Sequence, residues 1–191
     1  MRVLVVDETA GRAELLSAAL VLAGYEVTAS LSSPLALLKT IEQLRPDVIV
    51  IDTDSPSRDV LEHLGMVSRL TPRPVVMFTS DGSEAAIRAA TRAGVAAYVV
   101  DGLDENRIKT IVDVAIARFE EVQSLRDQLA EANTQLADRK VIERAKGLLM
   151  KSRNLDEPSA YAALRKAAMD RKLKLSEVAQ RIVDAADLLG A

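Results

Sequence analysis

The sequence predicts a doubly wound α/β domain, then a long helix, then a small all-α unit, and three observations carry that reading. Short apolar runs bounded by turn residues recur at Val3–Val6, Val48–Ile51, Val75–Phe78 and Ala96–Val100, the pattern of parallel strands buried on both faces. Helical patterns alternate with these runs, which places helices on both sides of one sheet. Between Asp104 and Met150 there is no proline and a single glycine, Gly147, while apolar residues recur three and four apart.

In chain order, the run Val3–Val6 precedes a helix over Gly11–Ala23, and a weaker strand at Tyr25–Ala29 precedes a helix over Ser33–Leu44. Val48–Ile51 leads into a helix over Val60–Leu70, and Val75–Phe78 into one over Glu84–Ala93. A Gly or Pro closes each of these helices. The strand Ala96–Val100 then feeds the long helix. Ile111, Ala115, Val122, Leu125, Leu129, Ala132 and Leu136 line one seam of it, interrupted by Arg118 and Arg139, which suits a short coiled coil or a signalling helix rather than a rod. After a break at Asn154–Pro158, Asp156 is placed to cap a helix that tolerates Pro158 in its first turn and runs to about Asp170. Ser176 is the expected cap of a last helix ending near Leu189. The expected division is an α/β domain over 1–118, a linker helix over 104–150 that runs on into the next domain, and a three-helix domain over 135–191.

Composition narrows the function classes. The 191 residues include no Cys and one His, which removes disulfide scaffolds, thiol nucleophiles, thiolate metal sites and most His-based triads. A non-enzymatic protein is expected. The opening Met1-Arg2-Val3-Leu4, with Asp7 and Glu8 close behind, is not a signal peptide, and no apolar run approaches a membrane span. That predicts a cytoplasmic chain without a membrane partner. A net charge of −3 and 3% aromatics argue at first sight against nucleic acid. Divided by segment, the charge tells otherwise. Residues 1–110 hold 11 basic and 15 acidic side chains, residues 111–138 hold 2 and 6, and residues 139–191 hold 12 and 7. An acidic body is joined to a basic tail, which the body could mask until a signal separates them.

In an open parallel sheet, sites form at the carboxyl ends of strands where the strand order reverses. Asp7 and Glu8 end the first run, Asp52 ends the run Val48–Ile51, and Thr79 with Ser80 ends the run Val75–Phe78. Carboxylates converging there repel unless neutralised, and their oxygen donors suit a hard divalent cation such as Mg²⁺. A metal-assisted phosphate site follows, with Asp7, Glu8 and Asp52 as metal ligands. His63 falls in a surface helix as a bystander.

The order of these residues resembles the receiver domains of bacterial response regulators over about residues 1–118. That resemblance implies a flavodoxin-like sheet of five parallel strands, with Asp7 and Glu8 as the acidic pair, Asp52 as the phosphoacceptor, and Thr79 and the switch aromatic Tyr98 as the phosphate and switch residues. Pro56 and Asp59 also match. One position departs: the family places a Lys after the last strand, where this chain has Asp101, followed by Gly102. An anion there repels an incoming phosphoryl group. Two readings stay open, weak phosphorylation of Asp52 or a docking module that works without phosphorylation.

In the tail, the segment Arg139–Arg153 places Val141, Ile142, Ala145, Leu148 and Leu149 on one helical face. Lys140, Arg144 and Lys151 border that face on one side and Arg139, Lys146 and Arg153 on the other, while Gly147 and Met150 point away. A mid-helix glycine costs about 1 kcal/mol against Ala, so Gly147 reads as a place of close approach. Arg165 and Lys166 add charge on the second helix, whereas the last helix sets Arg181 against Glu177, Asp184 and Asp187. That acidic last helix opposes a DNA-reading helix-turn-helix and favours a structured RNA loop gripped by the earlier helices.

The run Asp138-Arg139-Lys140-Val141-Ile142-Glu143-Arg144-Ala145-Lys146-Gly147-Leu148-Leu149-Met150, with Ala160-Tyr161, Leu164-Arg165, Ala168-Met169, Leu175 and Val178-Ala179, resembles the ANTAR domain over about residues 135–190. The resemblance implies transcription antitermination by binding paired hairpin loops in leader mRNA, with Arg144, Lys146, Gly147 and Arg165 on the RNA surface and Ile142, Leu149, Leu164 and Val178 in the core. Lys151 and Lys166 are added to that surface from the charge pattern. Receiver, helix and ANTAR domain in this order, with Asp101-Gly102 in place of Lys-Pro, are similar to the AmiR/NasT antiterminators, the NasT type in particular. That implies nitrate or nitrite assimilation as the setting and a sensor partner, either a NasS-like nitrate sensor or a histidine kinase. A homodimer through the linker helix would match two hairpins with two tails. The rival readings are a DNA-binding response regulator and a receiver-type protein docking adaptor.

Overall fold

The computed structural model of the chain describes residues 1–7, 10–33, 36–101 and 105–189. The chain divides into two units, 1–123 and 124–191. In the first, strands β1 (Arg2–Asp7), β2 (Glu26–Leu31), β3 (Val48–Thr53), β4 (Val75–Thr79) and β5 (Ala97–Val100) alternate with helices α1 (Ala10–Leu22), α2 (Leu37–Leu44), α3 (Arg58–Leu70) and α4 (Glu84–Arg92). All strand pairs are parallel, in the order β2-β1-β3-β4-β5. The apolar runs mark the strands, and the sheet is the flavodoxin-like one of five parallel strands that the receiver resemblance implies.

The sheet is buried from both sides because alternate residues of each strand face opposite ways. Leu4, Val6, Ile49, Ile51, Val75 and Met77 pack with Leu37 and Ile41 of α2 and with Val60, Leu64 and Val67 of α3. Val3, Val5, Val48, Val50, Val76 and Phe78 pack with Leu16, Ala19 and Leu20 of α1 and with Ile108, Val112 and Ala115 at the start of α5 (Glu105–Arg153). Each fully buried Leu or Ile contributes about 2 kcal/mol, so both faces are needed to offset the entropy of ordering the domain. Tyr25, just before β2, is buried and donates a 2.9 Å hydrogen bond to Asp113 Oδ1 of α5. Burial, with Asp113 adding, pushes the Tyr25 phenol well above its ordinary range.

Local signals set the helix ends. Ser57 caps α3 by accepting from Val60 N, and Ser83 caps α4 by accepting from Ala86 N. Helix α2 starts at Leu37 rather than Ser33. Ser33 precedes a proline, which biases it away from helix. Gly94 follows α4 with φ +95°, and a Cβ there would stand 2.5 Å from Ser68 Oγ.

Helix α5 is continuous over its 49 residues and crosses the unit boundary. Ala115 of its apolar seam is buried in the first unit, whereas Val122, Leu125, Leu129 and Leu136 are exposed. In the second unit the end of α5 joins α6 (Glu157–Arg171) and α7 (Leu175–Leu189) around Ala145, Leu149, Ala160, Leu164, Ala168, Val178, Ala179 and Val183. Asp156 caps α6, its carboxylate accepting from Ser159 N at 3.0 Å, with Pro158 in the first turn. Ser176 is not the cap of α7. The helix starts one residue earlier, and Glu177 closes it by accepting the Lys174 N–H at 3.0 Å, half of a capping box. Lys146 Nζ lies 2.7 Å from Glu157 Oε1 and ties α5 to α6, and Arg144 Nη2 lies 2.5 Å from Asp187 Oδ1 and ties α5 to α7. Among the described residues no helix is long and apolar enough to cross a membrane.

Two outcomes follow. Gly94→Ala is expected to destabilise the first unit by about 2 kcal/mol in chemical unfolding, because Ala is strained at that φ and its Cβ meets Ser68. Adding Ser68→Gly should restore only the steric part. In the second unit, the Lys146 hydrogen bond holds the Glu157 carboxyl below its ordinary 4.5. The Ser159 hydrogen bonds hold Asp156 below its ordinary 3.8. A carboxyl depressed on folding contributes stability above its ordinary value and loses it as pH falls through the folded value. Melts followed by helical circular dichroism should therefore show stability falling below about pH 4.5, with a smaller loss in Glu157→Gln.

Candidate functional site

The sheet order reverses between β1 and β3, since the chain passes from β1 outward to β2 and then back across to β3. The carboxyl ends of these two strands frame the crevice where α/β domains place ligands. Parallel register sets Asp7 opposite Asp52 there. The Asp7 side chain is fully buried and that of Asp52 is 12% exposed. Burial lifts the Asp52 carboxyl above its ordinary value; Arg12 pulls it back, and Asp7 and Asp54 push it further up. Glu8, the third expected ligand, lies outside the described residues, as does Gly102.

Two residues that the sequence did not point out complete the cluster. Arg12 Nη2 stands 3.8 Å from Asp7 Oδ1, its Nε stands 4.0 Å from Asp52 Oδ2, and its Nη1 is hydrogen-bonded to Asp54 Oδ1. The available signal was spacing. A helix entered directly after β1 brings its first turn over the strand ends, and Asp54 follows Asp52 by two residues.

Thr79 at the end of β4 and Tyr98 in β5 bond to the loops beside this cluster. The Thr79 hydroxyl donates to Asp54 O at 2.9 Å and accepts from Asp81 N at 3.2 Å, and Tyr98 Oη donates to Asp81 O at 2.6 Å. Ser55 Oγ donates to Asp81 Oδ2 at 2.8 Å. The end of β3 and the end of β4 are thus laced together, with Tyr98 fastened to the same loop. Asp101 is exposed, in a left-handed conformation with φ 49°, and its N–H donates to Thr79 O at 3.0 Å. His63 Nδ1 lies 2.7 Å from Asp59 O of its own helix, apart from these contacts.

Asp7 and Asp52 offer the oxygen donors that Mg²⁺ takes, so the donor chemistry fits. The positive charge beside them is the Arg12 guanidinium. A divalent ion held by both carboxylates and this guanidinium would repel one another. Among the described residues no three His, Cys, Asp or Glu side chains group to hold a metal ion, so Asp7 and Asp52 would hold it as a pair.

In the second unit the basic residues separate into two groups. Lys146 was expected at the border of the apolar face as an RNA contact, but its side chain is 9% exposed and lies between Glu143 Oε2 at 2.9 Å and Glu157 Oε1 at 2.7 Å. Hydrogen bonds from the ammonium to Glu157 and then Glu143 raise its pKa. Arg144, also expected on the RNA surface, is exposed but paired with Asp187. Lys151, Arg165 and Lys166 are exposed. Gly147 is exposed, and a Cβ added there would meet nothing within 4 Å. A groove of about 760 Å³ runs among α5, α6 and α7, apolar inside through Leu148, Leu164 and Ile182 and rimmed by Lys151, Arg153, Arg171 and Arg181.

Comparisons with known proteins agree with this two-part layout. The response regulator receiver domain matches residues 3–113 and the ANTAR domain matches residues 130–183. The transcriptional regulatory protein PdtaR of Mycobacterium tuberculosis is 28% identical over 161 residues, 84% of this chain and 78% of that protein. The nitrate regulatory protein of Klebsiella oxytoca is 36% identical over 75 residues, 39% of this chain and 19% of that protein. The solved signal receiver domain of the response regulator NarL from Mycobacterium tuberculosis superposes with a TM-score of 0.53 at 26% identity, covering 60% of this chain and 94% of that one. Both matched domains are regulatory. The chain belongs to the response regulators in which a receiver domain is followed by an ANTAR domain.

Proposed function

We propose that this response regulator is a cytoplasmic transcription antiterminator that binds hairpin loops of nascent leader mRNA through its ANTAR domain, under control of its receiver domain. The observation that carries the reading is the placing of charge. Residues 139–191 hold 12 basic against 7 acidic side chains, and Lys151, Arg165 and Lys166 remain exposed on the earlier helices while α7 carries Glu177, Asp184 and Asp187. Phosphates are gripped by the first set and repelled by the second, which disfavours a recognition role for the last helix in duplex DNA. The exposed Gly147 leaves room for close approach, and aliphatic rather than aromatic groups line the nearby groove, so loop shape and polar contacts would read the RNA.

The receiver spans 1–118, the linker helix 104–150 and the ANTAR domain 135–191 in this reading. When bound, Mg²⁺ at Asp7 and Asp52, with Glu8, would supply positive charge for an anionic group at the site. This chain's residues do the rest: Asp52 is the candidate acceptor, Thr79 and Tyr98 hold the loop beside it, and Asp101 adds a negative charge in place of a cation. That last feature favours control by a docked sensor protein, a NasS-like nitrate sensor, over control by a histidine kinase. Likeness to a nitrate regulatory protein supports nitrate or nitrite assimilation as the setting. The exposed seam Val122, Leu125, Leu129 and Leu136 has coiled-coil spacing, which supports a homodimer presenting two ANTAR domains to two hairpins.

The test is a titration of the full chain against a paired-hairpin leader RNA and against duplex DNA at several salt concentrations. The wild type should favour the RNA. Replacing Lys151, Arg165 and Lys166 together by Ala should weaken RNA binding at least ~10-fold and flatten the salt slope by about 2, as expected for three lost phosphate contacts on single strands. Gly147→Glu should weaken binding without lowering the melting temperature. Preference for the duplex, or equal RNA affinity in all variants, would reject the reading.

A further inference from the structure

Arg12 sits in the first turn of α1, where the positive end of the helix macrodipole disfavours a cation. Helix formation therefore does not explain it, and the carboxylates do. Its guanidinium is hydrogen-bonded to Asp54 and stands 3.8 Å from Asp7 and 4.0 Å from Asp52. Because the Asp7 side chain is fully buried and that of Asp52 nearly so, solvent and salt screen these charges weakly. The guanidinium itself is one-third exposed, so it can move outward without unpacking the core.

We propose that Arg12 is a built-in counter-cation of the receiver's acidic site, which competes with a divalent cation for Asp7 and Asp52 and so sets the site's metal affinity low. A monovalent and a divalent cation cannot both neutralise the same two carboxylates without repelling each other. For a metal ion to enter, the guanidinium must leave Asp7 and Asp52, and its hydrogen bond to Asp54 resists that movement. The site is thereby neutralised by the chain itself when no metal is bound. Asp54 is the anchor of this arrangement, and its backbone oxygen also accepts from the Thr79 hydroxyl and from Ser80 N. The inference rests on Asp7 and Asp52 as the divalent-cation ligands and is independent of the RNA reading.

Calorimetric titration of the full chain with Mg²⁺, cross-checked by Mn²⁺ proton relaxation, tests it. Arg12→Ala should bind either ion at least ~10-fold more tightly than wild type, and Arg12→Lys, which keeps the charge, should stay within about 3-fold of wild type. In metal-free buffer Arg12→Ala should melt below wild type, and saturating Mg²⁺ should close the gap. Asp54→Asn, which loosens the anchor, should also tighten metal binding and carries the test if Arg12→Ala does not fold. Asp7→Asn added to Arg12→Ala should abolish the gain, placing the ion at this site. Equal or weaker metal binding by Arg12→Ala and Asp54→Asn than by wild type overturns the inference and leaves the metal reading standing. No binding by any variant overturns both.

Discussion

Strands β1 and β3 are buried on both faces, and the site geometry depends on that constraint. Val3–Val6 and Val48–Ile51 lie between two helical layers, so no charge can be tolerated along their length. The first charged residues come where the apolar runs end, at the buried Asp7 and the nearly buried Asp52. Parallel pairing then sets these two side by side. Two carboxylates are brought together by the packing of the sheet that ends at them.

That placement is electrostatically unfavourable by itself. Burial raises the Asp52 carboxyl, and Asp7 and Asp54 raise it further. The structure supplies compensation from the first turn of the next helix, where Arg12 reaches back across the strand ends. Local helix preference yields here to the needs of the cluster, the kind of conflict that marks functional positions. Asp101 is another such place. A non-glycine residue in the left-handed region costs about 1 kcal/mol, and here it follows β5 while its N–H bonds to Thr79 O.

In the ANTAR domain, basic side chains tie the helices to one another. Lys146 pairs with Glu143 and Glu157 and holds α5 to α6. Arg144 similarly holds α5 to α7 through Asp187. Lys151, Arg165 and Lys166 are exposed, and Lys151, Arg153, Arg171 and Arg181 rim the apolar groove.

The strands, the helices between them, the long α5 and the cap at Asp156 were legible in the sequence, because hydrophobic periodicity and capping are local properties of the chain. The sequence also brought Asp7, Asp52 and Thr79 to strand ends, since a strand's end is visible where its apolar run stops. It did not reveal that Arg12 and Asp54 share that cluster, that Lys146 is buried between two carboxylates, or that Glu177 rather than Ser176 closes the start of α7. Tertiary structure decided those points. A charged side chain's partner is chosen by which elements pack together and in what register, and a helical wheel drawn for one element carries no information about the carboxylates of the next. Ion pairing is a long-range property of the fold, and the same Lys on the same helical face can be a solvated contact or an internal tie according to what lies opposite.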